Sequence, residues 1–263
     1  MKQAVRNAVR RMGLDVVRYD PAHTAWPADA AADERAILQR VAAFTMTSSA
    51  RQMALIQATR HVASTGIEGA FVECGVWRGG SAMVVALTLL QHGVTDRDIY
   101  LYDTFEGMTA PQTVDRRPGG GSAQALLDRD PSRRSEVWAV AGIDDVRRNL
   151  LGTGYPEARL HFVAGPVEAT LPQEAPQASI ALLRLDTDWY ASTWHELVHL
   201  YPRMAPGAPL IIDDYGDWEG ARKAVDEYFA LLLTPTPFMH RIDETGRLLF
   251  KPHGAALRTA VTT

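Results

Sequence analysis

Cysteine is almost absent from the 263 residues: Cys74 stands alone, so no internal disulfide framework can form, and a reducing compartment suits the chain. Long apolar runs are missing too. No stretch reaches the ~18–20 apolar residues needed to cross a bilayer. The arginine-studded start, Met1 through Arg11, is followed by no uninterrupted apolar segment of the kind a secretory leader carries. A cytoplasmic location with no membrane partner is therefore expected. A basic excess is also lacking. The net charge of −4 is spread along the chain and leaves no electrostatic footprint for nucleic acid.

What is present is ordinary globular material, 46% hydrophobic and 22% charged, enough for one α/β domain with decorations. Residues 1–44 read as a helical extension or cap, and 45–263 as the main domain. Within the extension a basic amphipathic helix is expected over 2–12, its charged face solvated rather than laid on a membrane. A second helix is expected over 33–44, with a linker rich in Ala and Pro over 20–29. Whether these helices cap the domain or form a dimer interface is left open.

From Gly69 onward, short apolar runs alternate with helical patterns. Strands are expected at 69–74, 98–103, 159–164, 180–186 and 209–213. Helices are expected at 81–91, opened by a Ser81 cap, and at 144–151, 192–201 and 218–233. A hairpin closes the chain, 239–243 against 247–251 around Glu244-Thr245-Gly246. Repeated βα units ending in a hairpin imply a mainly parallel, doubly wound sheet with helices on both faces. Ligands of such sheets bind beyond the carboxyl ends of the strands, at the topological switch point.

Three features collect at those ends. The first strand runs into Glu73-Cys74-Gly75-Val76-Trp77-Arg78-Gly79-Gly80-Ser81, where glycines allow close backbone approach and a helix N-terminus offers free N–H groups. It is not the dinucleotide fingerprint, because Trp77 stands at the second glycine position, and a plain structural turn remains the alternative. The second strand ends at Asp103, placed to accept hydrogen bonds from a ribose or simply to cap a loop. The fourth and fifth strands end in Asp186 and in Asp213-Asp214. Two bare carboxylates ~4 Å apart repel by about 4 kcal/mol at an effective dielectric of ~20, so three need protons or a cation. An all-oxygen set suits Mg²⁺, Mn²⁺ or Ca²⁺. The alternative is that Asp214 caps the following turn while Asp186 pairs with Arg184 or Arg222.

In this order the pieces resemble the macrocin O-methyltransferase family of S-adenosylmethionine (SAM)-dependent sugar O-methyltransferases. The matching segments are Phe44-Thr45-Met46-Thr47, the run from Phe71 to Ser81, and Tyr102-Asp103-Thr104-Phe105-Glu106-Gly107-Met108. Further on come Leu183-Arg184-Leu185-Asp186-Thr187-Asp188-Trp189-Tyr190, Leu200-Tyr201-Pro202 and Ile211-Ile212-Asp213-Asp214-Tyr215-Gly216. The resemblance implies a Rossmann-like class I methyltransferase fold, with a seven-stranded sheet whose seventh strand lies antiparallel beside the fifth. It implies that Glu73, Gly75, Arg78 and Ser81 surround the methionine part of SAM, that Asp103 holds the ribose, and that Thr104 and Phe105 flank the adenosine. Thr45, Met46 and Thr47 would cover the cofactor. Asp186, Asp213 and Asp214 would hold a divalent cation, usually Mg²⁺, and the acceptor would be a hydroxyl of a sugar or glycoside.

Such a hydroxyl needs a base, and a nearby carboxylate can take its proton. Asp186 is the first choice and Asp188 the second. Catechol-type relatives carry a lysine three residues after the first metal-binding Asp, where this chain has Trp189. The loop over 106–136, with Arg116, Arg117, Arg133 and Arg134, is the expected acceptor lid.

Other motifs compete. His195-Glu196-Leu197-Val198-His199 spells the H-E-x-x-H of zinc proteases, yet it sits in a helix after a sheet strand with no third ligand soon after it. Asp186-Thr187-Asp188 fits the D-x-D of metal-dependent glycosyltransferases, which leaves Asp213-Asp214 unexplained. A catalytically inert SAM-binding module would not need the acidic trio. Cys74, inside the glycine turn, reads as packing rather than as a nucleophile.

Overall fold

Strand pairing fixes the architecture. In the computed structural model, which describes residues 26–27, 29–232 and 236–253, the sheet is built around β1 (Ala70–Cys74), β2 (Ile99–Asp103), β3 (Leu160–Ala164), β4 (Ile180–Leu185) and β5 (Pro209–Ile212). These five run parallel. The closing hairpin supplies β6 (His240–Arg241) and β7 (Arg247–Phe250), and β7 pairs antiparallel with β5. The strand order is β3-β2-β1-β4-β5-β7-β6, the seven-stranded, Rossmann-like arrangement expected. Because β1 lies between β2 and β4, the order reverses there and opens a crevice above the carboxyl ends.

Each inner strand is buried on both faces, as the near-continuous apolar runs require. Alternate residues serve two cores. Phe71 and Leu182 pack with α1 (Ala32–Val41), α2 (Ser49–Thr65), α3 (Gly80–Gln91) and α5 (Ile143–Leu151), whereas Val72 and Leu183 pack with α6 (Val167–Glu174), α7 (Tyr190–Leu200) and α8 (Glu219–Ala230). Among the described residues no helix is long and apolar enough to cross a membrane.

Some boundaries differ from expectation for physical reasons. α3 starts one residue before Ser81, and its N-cap is Gly79, left-handed at φ 86° with no side-chain cap. A Cβ on Gly79 would come within 2.6 Å of Leu150, so close helix packing rather than a serine cap sets this start. α2 has no counterpart among the expected helices. Ser48 caps it by accepting from the Arg51 N–H at 3.2 Å, and Gly66 ends it at φ 70°. Its buried face includes Gln52 and Thr59, which blur the apolar stripe. The 106–136 loop contains α4 (Ala123–Leu127), whose Ala123 and Leu127 pack on Trp189, Trp218 and Ala221. The helix expected over 2–12 lies outside the described residues, as does most of the 20–29 linker.

Candidate active site

Two tight turns at the β1 and β2 ends are held together by one carboxylate. Asp103 Oδ2 accepts the Val76 and Trp77 N–H groups at 2.6 and 3.1 Å, and Oδ1 accepts that of Phe105 at 2.7 Å. Trp77 and Phe105 sit at φ 46° and 56°, conformations that cost non-glycine residues about 1–3 kcal/mol each and persist only where neighbours hold them. Burial raises the Asp103 pKa, although all three N–H groups pull it down. Gly75, at φ 79°, has no alternative residue: a Cβ there would lie 1.9 Å from the Asp186 carbonyl oxygen.

Above these turns lies a cavity of about 450 Å³, whose wall includes Thr45, Met46, Thr47, Glu73, Gly75, Ser81, Asp103 and Thr104. Asp186, Asp188, Asp213 and Asp214 line it from the β4 and β5 side. Two residues expected around the cofactor are not on this wall. Arg78 donates to Asp145 and to the Ala43 carbonyl, both at 2.9 Å, with its guanidinium 5.0 Å over the Phe44 ring. The Phe105 side chain packs in the core.

The acidic residues gather as the strand ends dictate. Asp186, Asp213 and Asp214 each present an oxygen within 4.8 Å of the others. Both sequence alternatives hold in part. Asp186 does pair with Arg184, at 2.8 Å, whereas Arg222 turns away to the Tyr215 carbonyl. The main-chain carbonyl of Asp214 accepts from Asp217 and Trp218, while its side chain accepts the Asp188 N–H at 3.1 Å.

Arg184, buried in β4, bonds Glu73 at 2.6 Å and Asp213 at 2.6 Å besides Asp186. Arg51, from α2, bonds Asp213 and also Asp243. Even so, negative charge exceeds positive. Burial, reinforced by neighbouring carboxylates, pushes Asp186 up to about 7 and Asp188 to about 8, and carries Asp214 well above the usual range. Three oxygen donors with surplus charge fit a hard divalent cation. Asp188, at φ 66°, is fixed by the Trp218 indole N–H, which donates to its Oδ1 at 2.6 Å.

From sequence Arg184 is expected only as one of two partners for Asp186, and no role at the site is expected for Arg51, Trp218 or Asp243. The signal for Arg184 was a charge inside an apolar strand, since a buried charge demands partners. Nothing local marked Arg51.

Among the described residues the H-E-x-x-H segment gathers no third metal-ligating side chain. The rings of His195 and His199 lie with centroids 4.5 Å apart, tilted by 38° to each other, and their Nε2 atoms are buried without partners among the described residues. Glu196 points the other way, fully buried, and accepts the Thr187 hydroxyl at 2.8 Å. Cys74 is fully buried, and burial raises its thiol well above the ordinary value, so it packs rather than attacks.

Comparison with known proteins gives the same direction. The family described as Macrocin-O-methyltransferase (TylF) matches residues 2–251. A demethyldecarbamoylnovobiocin O-methyltransferase from Streptomyces niveus is 36% identical over 188 residues, which are 72% of this chain and 68% of that one. An 8-demethyl-8-(2,3-dimethoxy-alpha-L-rhamnosyl)-tetracenomycin-C 4'-O-methyltransferase from Streptomyces olivaceus is 35% identical over 215 residues, 81% of this chain and 77% of that one. The solved structure of the O-methyltransferase NovP matches with a TM-score of 0.68 and 31% identity, covering 80% of this chain and 83% of its own.

Proposed function

Because the chain belongs to the macrocin O-methyltransferase family and is an O-methyltransferase on that ground, we propose that it methylates a sugar hydroxyl of a glycosylated natural product, using SAM and a divalent cation. The observation that carries this reading is the trio of carboxylate oxygens within 4.8 Å of one another, on the wall of the cavity that also receives the Gly75 turn and Asp103. The names of the two relatives, whose acceptors are a novobiocin derivative and a rhamnosylated tetracenomycin, support the acceptor class.

When bound, SAM supplies an electrophilic methyl group, and Mg²⁺ (or Mn²⁺) at Asp186, Asp213 and Asp214 lowers the pKa of a hydroxyl beside it. The chain does the rest by placement. Asp103, fixed by backbone N–H groups, presents its carboxylate to the ribose. Glu73, Gly75 and Ser81, with Thr45, Met46 and Thr47 opposite, form the wall for the methionine end, and Thr104 borders the adenosine. Arg78 and Phe105 act from behind that wall, bracing the turns they belong to. Of the two candidate bases, Asp186 is bonded to the Arg184 guanidinium, whereas Asp188 faces the cavity with only N–H partners. Asp188 therefore takes the proton, and Asp186 serves the cation. Positioning of the hydroxyl against the methyl donor supplies most of the remaining rate.

The test uses Asp214→Asn rather than a change at Asp213. Removing the Asp213 charge would also break its buried pair with Arg184, which costs about 3–5 kcal/mol. Methyl transfer from SAM to demethyldecarbamoylnovobiocin and to other demethylated glycosides is followed by mass spectrometry, with and without EDTA. Asp214→Asn is expected to lower turnover by roughly 100-fold while S-adenosylhomocysteine binds within about twofold of wild type. Equal loss of both would mean the trio is structural. Full activity in EDTA would remove the cation from the reading.

A further inference from the structure

Asp213 has both carboxylate oxygens on guanidinium groups. Oδ1 accepts Arg184 Nη2 at 2.6 Å, and Oδ2 is bonded to Arg51 Nη1. The two arginines differ in freedom. Arg184 has a side chain only 4% exposed and is held by Glu73, Asp186 and Asp213 together. Arg51 reaches in from α2, lines the cavity and keeps 18% of its side chain exposed.

Arg51 also has a second anchor through a different nitrogen. Its Nε donates to Asp243 Oδ2 at 3.0 Å, and Asp243 is itself held by the Ser48 hydroxyl at 2.5 Å and by the Gly246 N–H at 2.8 Å. The guanidinium can therefore release Asp213 and remain tethered to the β6–β7 turn.

A divalent cation among Asp186, Asp213 and Asp214 would meet this resident positive charge on one of its ligands. Two cations sharing a carboxylate oxygen in a partly dry cavity repel strongly. We infer that Arg51 and the divalent cation compete for Asp213 Oδ2, so that Arg51 sets the affinity of the site. The inference rests on reading the acidic trio as a cation site. In the cation-free protein Arg51 supplies part of the charge that keeps the trio together. When the cation takes Asp213, Arg51 keeps only Asp243.

Mn²⁺ binding to cofactor-free wild type, Arg51→Gln and Arg51→Met, read from the electron paramagnetic resonance signal of the free ion, tests this. Both variants remove the charge, and each is expected to bind Mn²⁺ about tenfold tighter or more than wild type. Equal or weaker binding by folded variants, with wild type binding normally, overturns the competition and leaves the cation site standing. No binding by any of the three proteins overturns both. Should neither variant fold, wild-type crystals soaked in Mn²⁺ decide. Arg51 still bonded to Asp213 Oδ2 beside a bound ion overturns the inference, and Arg51 bonded to Asp243 alone supports it.

Discussion

The indole N–H of Trp218, just before α8, donates to Asp188 Oδ1 at 2.6 Å. It thereby fixes a carboxylate whose own backbone sits at φ 66°. Trp218 is buried edge-on against Trp189, at 5.0 Å between centroids. Phenylalanine would keep an aromatic ring against Trp189 and remove the donor. Hydrogen bonds to charged groups contribute about 1.5–3 kcal/mol, and about 1.4 kcal/mol is tenfold in rate. Trp218→Phe is therefore expected to lower kcat by roughly tenfold or more with the KM for SAM nearly unchanged. A fall in kcat matched by weaker SAM binding would show a general collapse of the site instead.

Gly75 governs the other side of the cavity. Its φ of 79°, and the 1.9 Å that would separate an added Cβ from the Asp186 carbonyl oxygen, join the β1 turn to the acidic rim. Left-handed backbone alone costs about 1–2 kcal/mol for alanine, and the overlap forces β1 and β4 apart. Gly75→Ala is expected to lose both melting temperature and S-adenosylhomocysteine affinity in calorimetry. An alanine variant that melts and binds like wild type would show that the turn tolerates a side chain.

Glu73 provides a pH signature. It is buried on β1, with one oxygen on Arg184 at 2.6 Å and the other without a partner among the described residues. Burial raises it from an ordinary 4.5 to about 8, against the attraction of Arg184. The folded chain thus keeps a proton that the unfolded chain has lost. The contribution to stability is complete below about pH 4.5 and is lost as pH climbs to about 8. Asp186 and Asp188 act in the same direction. Ligand-free protein is expected to melt at progressively lower temperature between about pH 5 and pH 8, and Glu73→Gln, neutral throughout, to flatten the fall. Identical slopes would remove Glu73 as its source.

The sheet was legible because its strands are short apolar runs bounded by polar tips, and a parallel sheet must bury both faces of such runs. The same logic placed Asp103, Asp186 and Asp213 at one edge, since strand ends are where polarity resumes. α2 was not legible because its buried face carries Gln52 and Thr59, and with the helix went Arg51. Trp218 and Asp243 were hidden for a different reason. Their roles depend on contacts spanning 30 residues to Asp188 and 192 residues to Arg51, and no local pattern encodes a partner that far away. The Ser81 cap failed because a serine near a helix start is common, while Gly79 and Gly80 are required by the close approach of Leu150 and of the Phe44 carbonyl.

Charge in the cavity gives an expectation about the form of the acceptor. Nine carboxylate residues and three arginines line it. Two of the arginines are committed to Asp213, and the third, Arg117 of the 106–136 loop, lies 3.6 Å from Asp217 and 5.3 Å from the Trp218 ring centroid. SAM and a divalent cation would offset part of this negative charge, and each lining arginine still has a carboxylate partner then, Arg51 through Asp243. A nucleotide sugar carries two negative charges into that field on its diphosphate, whereas an uncharged glycoside carries none. Like charges brought together at close range cost several kcal/mol. With the same demethylated sugar offered in both forms, kcat/KM is expected to favour the neutral glycoside by about 100-fold or more, and Arg117→Ala to raise the acceptor KM without changing that of SAM. A nucleotide sugar methylated as efficiently as the glycoside would mean that phosphate contacts come from residues outside this cavity wall.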